Sequence, residues 1–159
     1  MSGYKSITIP EGKAYRITAG GDCIIDRTAK LKLRFVSNDT ETKYVVDGMT
    51  TDSTGDVVAP PDEYNGYPVA ELNSKAFQND ARIRILLVPA TITTIEDNIC
   101  NGCTNLEMVT FKGIARYVPT TMFANCPNLH TINVPWAEGY RAGAPWGATN
   151  AKINYNYKL

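Results

Sequence analysis

The chain has 159 residues, enough for one compact domain or two small ones, and its 43% hydrophobic and 20% charged content supplies a core and excludes a disordered chain. Sixteen Lys plus Arg balance sixteen Asp plus Glu, and residues 1–58 carry eight of each sign. With no basic stripe, no acidic tail and a single histidine, His130, the sequence disfavours nucleic-acid binding, attraction to anionic lipid and His-based catalysis. The opening MSGYKSITIPEGK lacks the apolar core of a secretory signal. No run approaches the roughly 18–20 apolar residues of a membrane span, so neither export by the general route nor membrane insertion is expected.

In chain order, residues 1–42 come first as short alternating runs: Ile7-Thr-Ile9, Tyr15-Arg-Ile17, Cys23-Ile-Ile25 and Leu31-Lys-Leu33-Arg-Phe35. Pro10–Glu11–Gly12, Gly20–Gly21 and Ser37–Asn38–Asp39 divide them, a spacing that predicts a small antiparallel β unit. Residues 47–63, rich in Asp, Thr, Gly and Pro, read as a joint between the two pieces.

From Leu72 the chain repeats without a gap every 23 residues: Leu72 to Val88, Ile95 to Phe111, and Val118 to Val134. The apolar columns are Leu72/Ile95/Val118, Ala76/Ile99/Met122, Phe77/Cys100/Phe123, Ile83/Leu106/Leu129, Leu86/Val109/Ile132 and Val88/Phe111/Val134. Asn79/Gly102/Asn125 and Asp80/Cys103/Cys126 add two further columns. Such a period describes a solenoid. The last residues of each copy alternate like a strand, Leu86 and Val88 facing one way, Ile85 and Leu87 the other. The Ala76–Phe77 stretch suits a turn of α- or 3₁₀-helix. One copy carries about six apolar side chains at about 1.5–3 kcal/mol each, too little to order its own backbone, so the copies must stack.

After Pro135 the tail aligns Ile153-Asn-Tyr155 with Ile132-Asn-Val134 at a stride of 21. It therefore supplies a fourth ladder strand, and residues 136–159 form a cap in which Trp136 and Trp146 close the last apolar layer. The fold class expected is mainly β: an antiparallel unit over 1–42, then a repeat solenoid over 43–159, with three 23-residue coils, a leader and a capping strand.

Ala76–Phe77, Phe123-Ala-Asn125–Cys126, Leu129-His-Thr-Ile132-Asn-Val134–Pro135 and Leu87–Val88–Pro89 resemble the BspA-type leucine-rich repeat of bacterial surface proteins and phage tail proteins. Val57–Val58–Ala59–Pro60 followed by Tyr64–Asn65–Gly66-Tyr-Pro68–Val69 is similar to the leader strand and entry segment that family uses, and the resemblance covers about residues 43–135. The chain departs from it at Cys100, at Asp80 and at Lys112–Gly113. The opening Ile7-Thr-Ile-Pro-Glu-Gly12 resembles a β module at the start of phage tail proteins, and the ending from Val134–Pro135–Trp136 through Trp146–Gly147 to Tyr157 resembles termini of phage and prophage repeat proteins.

Individual residues read mostly as structure. Cys100-x-x-Cys103 with Cys126 falls short of the four ligands zinc needs, and Cys103 and Cys126 share a column that packs coil on coil. Stacking brings those two within disulfide reach, but without an export signal they are expected to stay reduced. His130 shares its column with Arg84 and Glu107 and so faces solvent, and Glu96–Asp97 reads as a solvated turn. No phosphate loop, nucleophile elbow or zinc-protease pattern is present, so no catalytic, cofactor-binding or metal-binding residue is assigned and no cofactor is expected.

The outward columns are Ile85/Met108/Thr131 and Leu87/Thr110/Asn133. Ile85 and Leu87 are expected to be covered by the amino-terminal unit or another subunit, leaving Arg84, Glu107, Thr110, His130 and Asn133 as a partner surface. The resemblance implies a non-enzymatic virion protein, tail-associated or a capsid decoration, assembled in the host cytoplasm. Its partners would be other virion proteins, a host-surface protein or glycan, and further copies of itself, though no heptad pattern supports a trimer. The alternative is a bacterial surface adhesin on the same repeat.

Overall fold

A repeat without gaps returns the chain to the same place in a sheet at every turn, and that is the architecture found. The structure is a computed structural model that describes residues 27–159, together with the backbone of 16–17 and 23–25. The runs at Ile7-Thr-Ile9, Pro10–Glu11–Gly12, Tyr15 and Gly20–Gly21 lie outside the described residues. Strands β1 (Arg16–Ile17) and β2 (Cys23–Ile25) pair antiparallel.

The main sheet is built from β5 (Val57–Val58), β8 (Ile85–Val88), β10 (Met108–Phe111), β11 (Thr131–Asn133) and β12 (Lys152–Asn154), all parallel in the order β12-β11-β10-β8-β5. Leu86, Val109, Ile132 and Ile153 are partners in one row, so the three repeat strands, the leader strand and the 21-residue stride of the tail are all observed. The second sheet contains β3 (Leu31–Ser37), β4 (Thr42–Met49), β7 (Tyr67–Leu72) and β6 (Glu63–Tyr64), with β9 (Thr94–Ile95) parallel to β7. Val46, Leu72 and Ile95 share a row there, which puts β4 one step ahead of the first repeat. The boundary expected after residue 42 falls within β4, inside the hairpin that pairs β3 with β4.

The repeat columns converge on one core. Leu72, Phe77, Ile83, Leu86, Val88, Ile95, Cys103, Leu106, Val109, Phe111, Val118, Phe123, Cys126, Leu129, Ile132 and Val134 are all at most 6% exposed and belong to a single cluster. At the carboxy end Trp146 is wholly buried, with Trp136 and Phe111 edge-on to one another at 5.2 Å and the two indoles at 6.0 Å.

The helical turn expected at Ala76–Phe77 is replaced by successive hydrogen-bonded turns, and no described residue is helical. The cause lies in the neighbouring columns. Lys75, Asn79, Asn98, Gly102 and Asn125 have positive φ, the left-handed region that Asn and Gly tolerate best and a helix cannot contain. The N–H groups thereby turn toward the adjoining coil: Phe77 donates to Ile99 O at 2.9 Å, Cys100 to Met122 O at 3.0 Å and Phe123 to Trp146 O at 2.9 Å. No helix among the described residues is long and apolar enough to cross a membrane.

Asp80, where the family's wording has Cys, serves the joint. It takes two bonds from Arg82 (Nε to Oδ1 2.9 Å, Nη2 to Oδ2 2.8 Å), and Arg82 Nη1 reaches Thr50 O at 2.8 Å and Ser53 O at 3.2 Å. Ser53 Oγ in turn accepts the Lys30 N–H at 2.9 Å, so the 50–53 loop is held between β3's approach and the first coil.

Candidate functional site

Parallel strands in perfect register set equivalent residues about 4.8 Å apart, so one repeat position becomes a surface row. The position just before each of β5, β8, β10 and β11 carries Asp56, Arg84, Glu107 and His130 in order, and Ala151 ends the row ahead of β12. Arg27 joins at the head, through the Thr28–Val57 bridge. The backbone fixes the row: Arg84 N donates to Asp56 O (2.9 Å), Glu107 N to Arg84 O (2.8 Å) and His130 N to Glu107 O (3.1 Å).

From Arg27 to Glu107 the side chains alternate in sign and pair along the row. Arg27 grips Asp56 with two bonds, Nε to Oδ1 at 2.8 Å and Nη2 to Oδ2 at 3.0 Å, which raise the pKa of its guanidinium. Arg84 lies between Asp56 (3.7 Å) and Glu107 (3.0 Å). His130 sits next to Glu107 with Nδ1 at 2.8 Å from Thr131 Oγ1. Behind this row stands a second, of asparagines that staple coil to coil: Asn105 Nδ2 to Ala81 O (2.8 Å), Asn128 Nδ2 to Thr104 O (2.7 Å) and Asn150 Nδ2 to Pro127 O (3.3 Å). Arg84, Asn105, Glu107, Asn128 and His130 line one open cleft of about 300 Å³. The arrangement offers donors and acceptors at a fixed repeat spacing, a geometry for binding.

The structure thus brings Arg84, Glu107 and His130 together, but Thr110 and Asn133 do not join them. Both were expected to be available to a partner, and both are buried, at 0% and 2% exposure. Their column closes on itself: Asn133 Nδ2 donates to Thr110 Oγ1 at 3.0 Å, and Asn154 Nδ2 donates to Asn133 Oδ1 at 2.8 Å. Each link is a hydrogen bond between neighbouring strands, so the polar groups are satisfied without water. Leu87 heads the same column and is likewise buried within the single chain, while Ile85, next to the half-buried Met108 and Thr131, is half-buried. Asn105 and Asn128 were missed by sequence reasoning; their recurrence 23 residues apart was the available signal.

Cys100, Cys103 and Cys126 are buried free thiols. Cys103 Sγ donates to Phe77 O at 2.9 Å and Cys126 Sγ to Cys100 O at 3.0 Å, so each repeats one coil-to-coil contact. The contact with Cys103, then burial, pushes the Cys100 thiol well up, and burial pushes Cys126 up to about 12. Neither is a nucleophile at neutral pH. Glu96 and Asp97 are exposed on a turn, and among the described residues no group of three or more His, Cys, Asp or Glu is placed to hold a metal ion.

Comparison with known proteins places this geometry in context. Residues 66–138, just under half of the chain, match the BspA type leucine rich repeat region, described with six copies. No curated protein sequence matches. The fold is similar to a leucine-rich repeat protein from Bacteroides ovatus ATCC 8483, at 19% identity and TM-score 0.56 over 66% of this chain and 30% of that one. It is also similar to a leucine rich cell surface protein from Faecalibacterium prausnitzii A2-165, at 16% identity and TM-score 0.50 over 77% of this chain and 41% of that one. The chain therefore spans less than half the length of either neighbour.

Proposed function

We propose that the chain is a non-catalytic interaction module displayed on a cell surface, and that it grips a protein or glycan partner along the Arg84–Glu107–His130 row. The observation that carries this reading is the row itself, registered strand by strand and opening into a polar cleft. The repeat match and the cell-surface description of one neighbour support the setting. Surface proteolysis of intact cells followed by mass spectrometry tests it: peptides of this chain are expected in the released fraction, and their confinement to the cytosol overturns it.

A virion setting is the second reading. It rests on the Ile7-Thr-Ile-Pro-Glu-Gly12 opening and the Trp136-to-Tyr157 ending, which resemble phage structural proteins. It requires the chain in purified particles, tail-associated or decorating a capsid, beside other virion proteins; absence from particles removes it.

A further inference from the structure

The second sheet carries a surface of different chemistry. Phe35, Tyr44, Tyr64 and Tyr67 form one continuous set of ring contacts: Phe35–Tyr44 at 5.3 Å, Phe35–Tyr67 at 5.2 Å and Tyr44–Tyr64 at 5.1 Å. Tyr44 is buried and belongs to the core, whereas Phe35, Tyr64 and Tyr67 are 49%, 48% and 43% exposed. The core therefore runs out of the solenoid's amino end as a platform of rings. Strand alternation sorts the remaining side chains. Ser37 and Thr42 share the ring face, with Ser37 Oγ and Thr42 Oγ1 3.2 Å apart, and Asn65 Nδ2 donates to Tyr44 Oη at 3.2 Å. The charged residues Lys32, Arg34, Lys43, Asp47 and Glu63 alternate onto the opposite face, where Arg34 pairs with Asp47 at 2.9 Å and Lys43 approaches Glu71 at 3.9 Å.

We propose that this platform binds a neutral glycan. Its described surface combines ring faces with hydroxyls and one amide, and strand alternation adds one carboxylate, Asp62 opposite Val69, as an acceptor for hydroxyl groups. That matches a pyranose, which presents C–H faces and a girdle of hydroxyl groups. The rings are also set in advance. Tyr64 and Tyr67 flank a two-residue hairpin turn at Asn65–Gly66, both with positive φ, and each ring is held at its edge by another, so little freedom is lost on binding. The platform lies on a different sheet from the Arg84–His130 row and does not depend on that row's function.

The test is titration of the full chain with neutral oligosaccharides (maltoheptaose, cellohexaose and chitohexaose) by calorimetry, at low and high salt. At least one is expected to bind with an affinity that salt leaves unchanged. Tyr64→Ala and Tyr67→Ala are each expected to weaken it about tenfold or more. Tyr140→Ala, at an exposed tyrosine near the carboxy end, is expected to leave it unchanged. In the unmodified chain, sugar-induced NMR shifts are expected at the Phe35, Tyr64 and Tyr67 rings. Failure of all three sugars to bind, binding that survives both substitutions, or shifts confined to other residues overturns the proposal. So does a dimer, seen by ultracentrifugation, that either substitution abolishes, because the occupant is then a second copy.

Discussion

The two ends of the solenoid are closed by different means. At the carboxy end the last layer is sealed by bulk: Trp146 is fully buried and Trp136 and Phe111 pack edge-on beside it. At the amino end the stack is extended by a sheet, β3-β4-β7, fastened by the Arg82–Asp80 clasp on the 50–53 loop, and its aromatic rings stand half in water. An indole lid needs only local chain and gives most of its area to the core. A sheet extension needs polar ties, but it leaves side chains free to meet a ligand. Closure and recognition are thus separated between the ends, and substitutions at each should differ in kind.

The largest effect is expected at the carboxy lid. Trp146→Ala removes a wholly buried indole that packs against Phe111 and Trp136. A loss of about 3–5 kcal/mol is expected, on the order of a 10 °C fall in Tm by calorimetry. A fall of only a degree or two would show that Trp136 and the tail close the end without it.

Next comes the buried polar column. Asn133→Ala removes one hydrogen bond from the Thr110 hydroxyl and one from the Asn154 amide, inside the sheet. Denaturant titration is expected to show a loss of about 1–3 kcal/mol. Asn133→Asp keeps the size but replaces the amide donor to Thr110 with a carboxylate, and should cost at least as much.

These two sites also mark what the sequence could reveal. Stacking without gaps writes each packing contact into the sequence as a column, so Leu86/Val109/Ile132 and the alignment of Ile153 were legible from spacing alone. The Arg84–Glu107–His130 row was legible for the same reason. Thr110 and Asn133 were not, because strand alternation reports which face a side chain takes and is silent on whether water reaches that face. The recurrence of Asn at 133 and 154 was the trace of a ladder that satisfies itself. The amino-terminal sheet repeats nothing, and the register shifts at Lys32/Leu33 and Tyr44/Val45 change which residues face one another across its strands, so spacing alone did not give its pairing. Asp80 looked like an imperfect copy of Cys; its purpose depends on Arg82 and on a loop some thirty residues earlier.

The amino-terminal clasp ranks third. Arg82→Ala releases the Thr50 and Ser53 carbonyls and leaves Asp80 with a partly buried charge, for an expected loss of about 1–2 kcal/mol, discounted because Arg82 is itself partly exposed. Its signature is pH. Burial works against ionisation of Asp80, but the bonds from the Arg82 side chain and backbone outweigh it and hold the carboxyl below its ordinary value. A folded pKa below the unfolded one means stability that is full above the unfolded value and lost as pH falls through the folded one. The unmodified chain should lose more stability on acidification from neutral pH than Arg82→Ala does; parallel curves would show that the clasp holds no charge of consequence.

The smallest effect is expected on the cleft, and its smallness is what makes the site testable. Arg84 and Glu107 are about half exposed, and their 3.0 Å pair lies in water, where such bridges contribute about 0–1 kcal/mol. Glu107→Gln keeps the side chain's shape and removes its charge, so Tm should move by no more than a degree or two. The strand beneath is held by Glu107 N to Arg84 O and by Val109 in the core, neither of which the change touches. Any loss of partner binding in Glu107→Gln, read beside an unchanged Tm, then belongs to recognition. The opposite result, a drop in Tm comparable to that of the Arg82 variant, would mean that the alternating row from Arg27 to Glu107 acts as a cooperative electrostatic strut. The division between an end that stabilises and a face that binds would then have to be redrawn.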